Sequence, residues 1–139
     1  MVQMIVGKKG KGKTKHLLDK VNAEIKDAQG NVVYLDKSTK HMYELNNKIR
    51  LVDVSDYLVT NSDEFLGFIC GIVSQDHDLQ KMYFDSFLKI ACVEAEEIAV
   101  VIAKLEEISD KFMVDFVLSI SADEDELPEA VKSKIVISL

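Results

Sequence analysis

Residues 7–14 read Gly-Lys-Lys-Gly-Lys-Gly-Lys-Thr, which satisfies every defined position of the pattern G-x-x-x-x-G-K-[ST]. That spacing suits the capture of a polyphosphate. Several donors must converge on the phosphates from one side. Glycines at Gly7, Gly10 and Gly12 let the backbone turn tightly, so that successive N–H groups point inward. Lys13 reaches the β- and γ-phosphates, and the Thr14 hydroxyl is a hard oxygen ligand for Mg²⁺. Lys8, Lys9 and Lys11 add positive charge to the same loop. Residues Gly7, Lys8, Lys9, Gly10, Lys11, Gly12, Lys13 and Thr14 thus read as a site for a nucleoside triphosphate with Mg²⁺.

Such a loop works between a strand and a helix, where the helix N-terminus adds its amides and dipole to the anion site. Met1–Val6 is an apolar run of strand length. From Lys13 to Ala28, Leu17, Leu18, Val21 and Ile25 recur at helical spacing. Gly30 reads as that helix's C-terminal stop. Asn31–Leu35, Ile49–Val54, Lys81–Phe84, Phe116–Ile120 and Ile135–Ile137 are further predicted strands. Between them fall a helix capped by Asn61 over 61–73, with Glu64 completing a near capping box, and a helix over 94–109. Pro128 opens a last short helix. Strands alternating with helices predict an α/β fold of three layers. A mostly parallel sheet of five or six strands carries helices on both faces. The length fits a single domain over 1–139.

In such a sheet ligands bind outside the carboxyl ends of the strands. Asp36, Asp53, Asp85 and Ser121 stand at those ends. His16, His41 and His77 are scattered without metal-ligand spacing and read as surface or helix-lining residues. Cys70 and Cys92 lie in apolar surroundings and read as two buried thiols.

Charge is unevenly spread. Residues 1–50 hold eleven Lys and Arg against five Asp and Glu, a balance of +6; residues 51–139 hold six against nineteen, −13, for a net −7. An acidic protein is a poor general binder of nucleic acid, and the basic first third suits a local anion site. No run approaches the ~18 apolar residues of a membrane span, and the apolar start is too short for a secretory signal. A cytoplasmic protein without membrane insertion is expected.

The loop in this setting resembles the P-loop NTPase superfamily, whose minimal core is about the length of this chain. The resemblance implies a second motif, an apolar strand ending in an Asp that supports Mg²⁺; Met82-Tyr83-Phe84-Asp85 fits it and gives Asp85 that role. It implies a polar residue near the γ-phosphate, matched by Ser121 or Ser119. Many ATPases of the superfamily place Glu directly after the second-motif Asp. Here Ser86 follows, and Asp36 is the substitute for orienting water. Asn47-Lys48-Ile49-Arg50 lacks the Asp of the guanine-specifying pattern, so ATP is expected over GTP. Arg50 is the only arginine, so no arginine finger is evident and turnover is expected to be slow. The segments MIVGKKGKGKT, GNVVYLD, GFICGI, YFDSFLKI and FVLSISADEDELPE are similar to short bacterial ATP-binding proteins labelled as twitching-motility-type.

Three functions are compatible with these residues. One is a minimal ATPase in which Lys13, Asp85 and Asp36 support catalysis. Another is a nucleotide-dependent regulatory module acting on a protein partner or on further copies of itself. A small-molecule kinase is the least favoured, because such kinases usually carry an arginine-bearing lid.

Overall fold

The structure, a computed structural model, describes residues 1–139. Six strands form one sheet: β1 (Val2–Val6), β2 (Asn31–Asp36), β3 (Arg50–Asp53), β4 (Leu79–Phe84), β5 (Asp115–Ile120) and β6 (Ile135–Ser138). Their order is β3-β2-β4-β5-β1-β6, and every neighbouring pair is parallel. The helices are α1 (Lys13–Glu24), α2 (Ser62–Gln75), α3 (Phe87–Ile90), α4 (Ile98–Phe112) and α5 (Glu129–Lys132).

Strand side chains alternate between two cores. Met4, Val6, Leu35, Phe84 and Leu118 face a large core shared with α2 and α4. Ile5, Tyr34, Tyr83 and Val117 face a smaller one covered by α1. Burial on both faces is why the strands read as nearly continuous apolar runs rather than alternating ones. Edge-to-face contacts tie Phe84 to Phe65, Phe87 and Phe116 in the larger core. The expected three-layer α/β fold is the observed one.

Several local expectations shift. Helix α1 stops at Glu24 and finishes as a tight turn over Ile25–Asp27, short of Ala28. Gly30 does not end it through a left-handed residue. Gln80 Oε1 accepts from the amides of Gln29 and Gly30 (2.9 and 2.8 Å). A Cβ on Gly30 would lie 2.1 Å from the Asp78 carbonyl oxygen. That glycine serves close passage of two backbones. Asn61 caps α2 by accepting from Glu64 N (2.8 Å), but the Glu64 carboxylate turns to Thr60, so only half the capping box forms. Strand β4 starts two residues early, at Leu79, and Pro128 precedes α5 instead of opening it.

The two thiols are not both buried. Phe65, Leu66, Ile69 and Val73 turn inward from α2. Cys70 follows Ile69 by one residue, about 100° round the helix, and is exposed. Cys92 is partly buried, with Sγ 3.8 Å from the Val59 carbonyl. No helix is long and apolar enough to cross a membrane.

Candidate phosphate-binding site

The loop connects β1 to α1. Its backbone needs glycine where the chain enters the helix: Gly10 and Gly12 hold φ at +88° and +90°, a region that costs side-chain-bearing residues about 1 kcal/mol or more. Gly12 then caps α1, so the first amides of the helix point out of the sheet's carboxyl edge. Lys13 is buried, and its Nζ donates to the Lys8 carbonyl (3.0 Å). Burial lowers its pKa from the ordinary lysine value, while the nearby Asp85 carboxylate pulls the other way.

Thr14 meets the second motif directly. Its hydroxyl donates to Asp85 Oδ1 at 3.1 Å. Asp85 is itself buried. Ser119 Oγ donates to the same oxygen at 3.1 Å, and Tyr34 Oη donates to Oδ2 at 2.9 Å. The strand order explains the convergence: β5 lies between β1 and β4, which sets Ser119 beside Asp85. Ser86, the next residue, takes φ +54°, an unusual conformation for a serine. Its amide donates to Ser119 Oγ (2.9 Å), which fixes the turn out of β4. Burial first, and then the Asp85 charge, push the Tyr34 phenol far above its ordinary pKa, so it stays a donor to this carboxylate.

Asp36 ends β2, the neighbour of β4, and is 2% exposed. Its Oδ1 accepts from Lys37 N (2.7 Å). Its buried Oδ2 has no partner. Burial raises its pKa above the ordinary aspartate value, and neighbouring Asp85 adds to the rise.

These groups open into a cleft of about 710 Å³ lined by 16 residues, only one of them apolar. It gathers Lys9, Gly10, Gly12, Lys13, Thr14, Asp36, Asp85 and Ser121. Gly7, Lys8 and Lys11 do not line it. Gly7 N is bonded to the Ala122 carbonyl (2.9 Å), and Lys8 pairs with Asp123 (3.5 Å) and Glu126 (4.0 Å). Asp53 lies outside it as well, on edge strand β3. Lys9, Lys37, Lys40 and Lys89 line the cleft and form no ion pair. Four unpaired cations give this cleft a positive local charge in an otherwise acidic protein.

The chain matches no protein-family model and no curated protein sequence. Solved structures share its fold, among them the following two. One is a KaiC-like protein of the hyperthermophilic archaeon Pyrococcus horikoshii, with TM-score 0.64, 19% identity and coverage of 95% of this chain. The likeness is one of fold. The other is the flagellar accessory protein FlaH of Methanocaldococcus jannaschii, with TM-score 0.58, 13% identity and 95% of this chain covered. The chain spans 66% and 65% of the length of these KaiC-like and FlaH structures.

Sequence reading missed four neighbours of the site. Tyr34 sits two residues before Asp36, so on the same side of β2, and that alternation was a usable signal. Lys37 and Lys89 follow strand ends, where loops are polar for many reasons. His41 carried no signal: it reaches Asp36 and Asp85 only through the fold, where ligand atoms of all three lie within 4.8 Å of one another.

Proposed function

We propose that this chain binds ATP with Mg²⁺ in the lysine-lined cleft and hydrolyses it slowly. The observation that carries the reading is the 3.1 Å contact between Thr14 Oγ1 and Asp85 Oδ1. It unites the end of the phosphate loop with the acidic end of β4. These two hard oxygen donors suit Mg²⁺, which takes one or two protein oxygens and the phosphates. An Mg²⁺ held there would supply charge neutralisation on the β- and γ-phosphates. The loop amides and Lys13 would hold the phosphates, and Ser121, which lines the same cleft, is the polar group that would contact the γ-phosphate. The match of residues 7–14 to the phosphate-loop pattern supports this assignment at the level of nucleotide binding.

For turnover, Asp36 is the residue available to orient water. Its unpartnered Oδ2 accepts a hydrogen bond from a water whose oxygen attacks the γ-phosphorus. The bond to the β–γ bridging oxygen breaks, ADP departs, and the water's proton leaves with Asp36 or the released phosphate. With an aspartate in place of a longer glutamate, and no arginine in the cleft, slow turnover is the expectation.

The test is calorimetric titration with Mg²⁺-ATP, followed by phosphate release on the same sample, for wild type and Asp36→Asn. Binding in both with release only in wild type is expected. No binding of ATP or GTP by wild type overturns the reading. Binding without any release favours a nucleotide-dependent regulatory switch, a reading that Ser86 after Asp85 also supports.

A further inference from the structure

Asp36 and Asp85 are two buried carboxylates at the ends of adjacent strands, the last residue of β2 and the first after β4. The β2–β4 register pairs Leu35 with Phe84, and the Asp85 amide continues the ladder by donating to the Leu35 carbonyl (2.9 Å). The two acids therefore follow one another across the sheet edge, 2% and 3% exposed. Like charges so placed are costly unless a cation or proton lies between them. Lys13 acts on Asp85 and Lys37 on Asp36 through space, but neither forms an ion pair with them. Lys13 Nζ is engaged by the Lys8 carbonyl, and Lys37 and Lys40 are exposed without ion pairs. Asp36 keeps one oxygen, Oδ2, buried and without a partner, inside the cleft.

The loop after β2 brings a third group. His41, half-buried, precedes the tight turn Met42–Glu44. Its ligand atom and those of Asp36 and Asp85 all lie within 4.8 Å of one another. Donors about 2.1 Å from a common ion are separated by roughly 3 to 4 Å, so small side-chain movements close this set. His41 Nδ1 lies 3.3 Å from Glu44 Oε1. A carboxylate at one ring nitrogen holds the proton there and leaves the lone pair on the other, the usual arrangement of a metal-binding histidine.

We infer that Asp36, His41 and Asp85 bind a divalent transition-metal ion without nucleotide, at a position that shares Asp85, but not Thr14, with the Mg²⁺ proposed for the triphosphate. The donor set decides the ion. One imidazole nitrogen and two carboxylates suit Mn²⁺, Co²⁺ or Zn²⁺, whereas Mg²⁺ prefers oxygen throughout. Thr14 is outside the set: it touches Asp85 through its hydroxyl and serves the triphosphate's ion. The nucleotide-free site does not depend on the ATP reading, since it uses no phosphate contact.

Cobalt makes the site visible. Nucleotide-free protein is titrated with Co²⁺ alone and followed by its visible absorption and by calorimetry. One Co²⁺ per chain is expected, with a band that reports nitrogen ligation. His41→Ala and Asp36→Asn each weaken binding about ten-fold or more. Thr14→Ala leaves it within about two-fold while losing Mg²⁺-ATP. Circular dichroism confirms that each variant is folded, and His41→Gln, which keeps the loop's polarity, repeats the loss if Ala disturbs it. Absence of nucleotide-free Co²⁺ binding overturns the inference. So does binding that survives His41→Ala and His41→Gln, or that is lost in Thr14→Ala, which would place the ion at the triphosphate position. Failure of ATP binding together with intact Co²⁺ binding leaves this site standing and removes only the nucleotide reading.

Discussion

Tyr34 and Asp85 come from neighbouring strands, 51 positions apart, and meet inside the protein through a 2.9 Å hydrogen bond from the phenol to Oδ2. The bond aims a buried carboxylate at the cleft, so removing the hydroxyl has two consequences. Tyr34→Phe leaves a buried acceptor short of a donor and is expected to cost about 1–3 kcal/mol. For a chain of this size that lowers Tm by roughly 2–12 °C. Mg²⁺-ATP affinity is expected to fall as well, because Asp85 loses its orientation. Thermal melting and calorimetry on one preparation check both.

Lys13→Ala is expected to keep the fold and lose at least about 100-fold in Mg²⁺-ATP affinity, the size of a charge-assisted contact to phosphate. In the structure its ammonium touches only the Lys8 carbonyl, so little packing depends on it. Circular dichroism beside calorimetry separates the two effects; unchanged affinity in a folded variant would remove the phosphate-loop assignment.

Glu24 gives the molecule a pH dependence away from the cleft. Burial works to raise its pKa, but hydrogen bonds from Lys81, Tyr83 and Lys20 outweigh that and hold it below the usual glutamate value of 4.5. A depressed carboxylate stabilises the folded state above its unfolded pKa, and the contribution is lost as pH falls through the folded value. Wild type is therefore expected to exceed Glu24→Gln in Tm at neutral pH. The gap should close as pH is lowered below about 4.5. Melting curves from pH 7 to 3 test it; a gap independent of pH rules this out.

Gly30→Ala is expected to destabilise by about 1–3 kcal/mol, because the new methyl would meet a backbone carbonyl that cannot swing aside. The clearance is 2.1 Å to Asp78 O. Gly67→Ala, on the exposed side of α2 with nothing within 4 Å, is the control and is expected to be neutral or slightly stabilising. Urea unfolding of the two variants is the comparison.

The contrast between Gly30 and Gly12 shows what a sequence can disclose. Gly12 belongs to a local motif, where spacing alone dictates a turn into a helix, and the structure places it at that turn. Gly30 also stands after a helix, so local rules made it a cap. Its reason lies 48 residues away in the loop before β4. The same division holds at the site. The four inner strands were legible because burial on both faces writes itself as apolar runs, whereas the edge strands β3 and β6, with no fully buried residue, showed only as short apolar stretches. That Asp36 and Asp85 are neighbours required the strand order, which no periodicity carries. His41 is the extreme case: it has no spacing to either acid and is positioned only by the path of the loop after β2. Cys70 misled for a different reason, since an apolar stretch of helix hides which face each residue takes until the neighbouring layer is known.

The four unpaired lysines around the cleft bear on how fast a ligand arrives. An approaching polyphosphate is repelled by most of this acidic surface and drawn in at one mouth, so encounters are guided there over about a Debye length, ~8 Å in physiological salt. Added salt should then slow association far more than it hastens departure. Two proteins with equal equilibrium affinity but different lysine rims would fill their sites at different speeds in a cell whose nucleotide supply fluctuates.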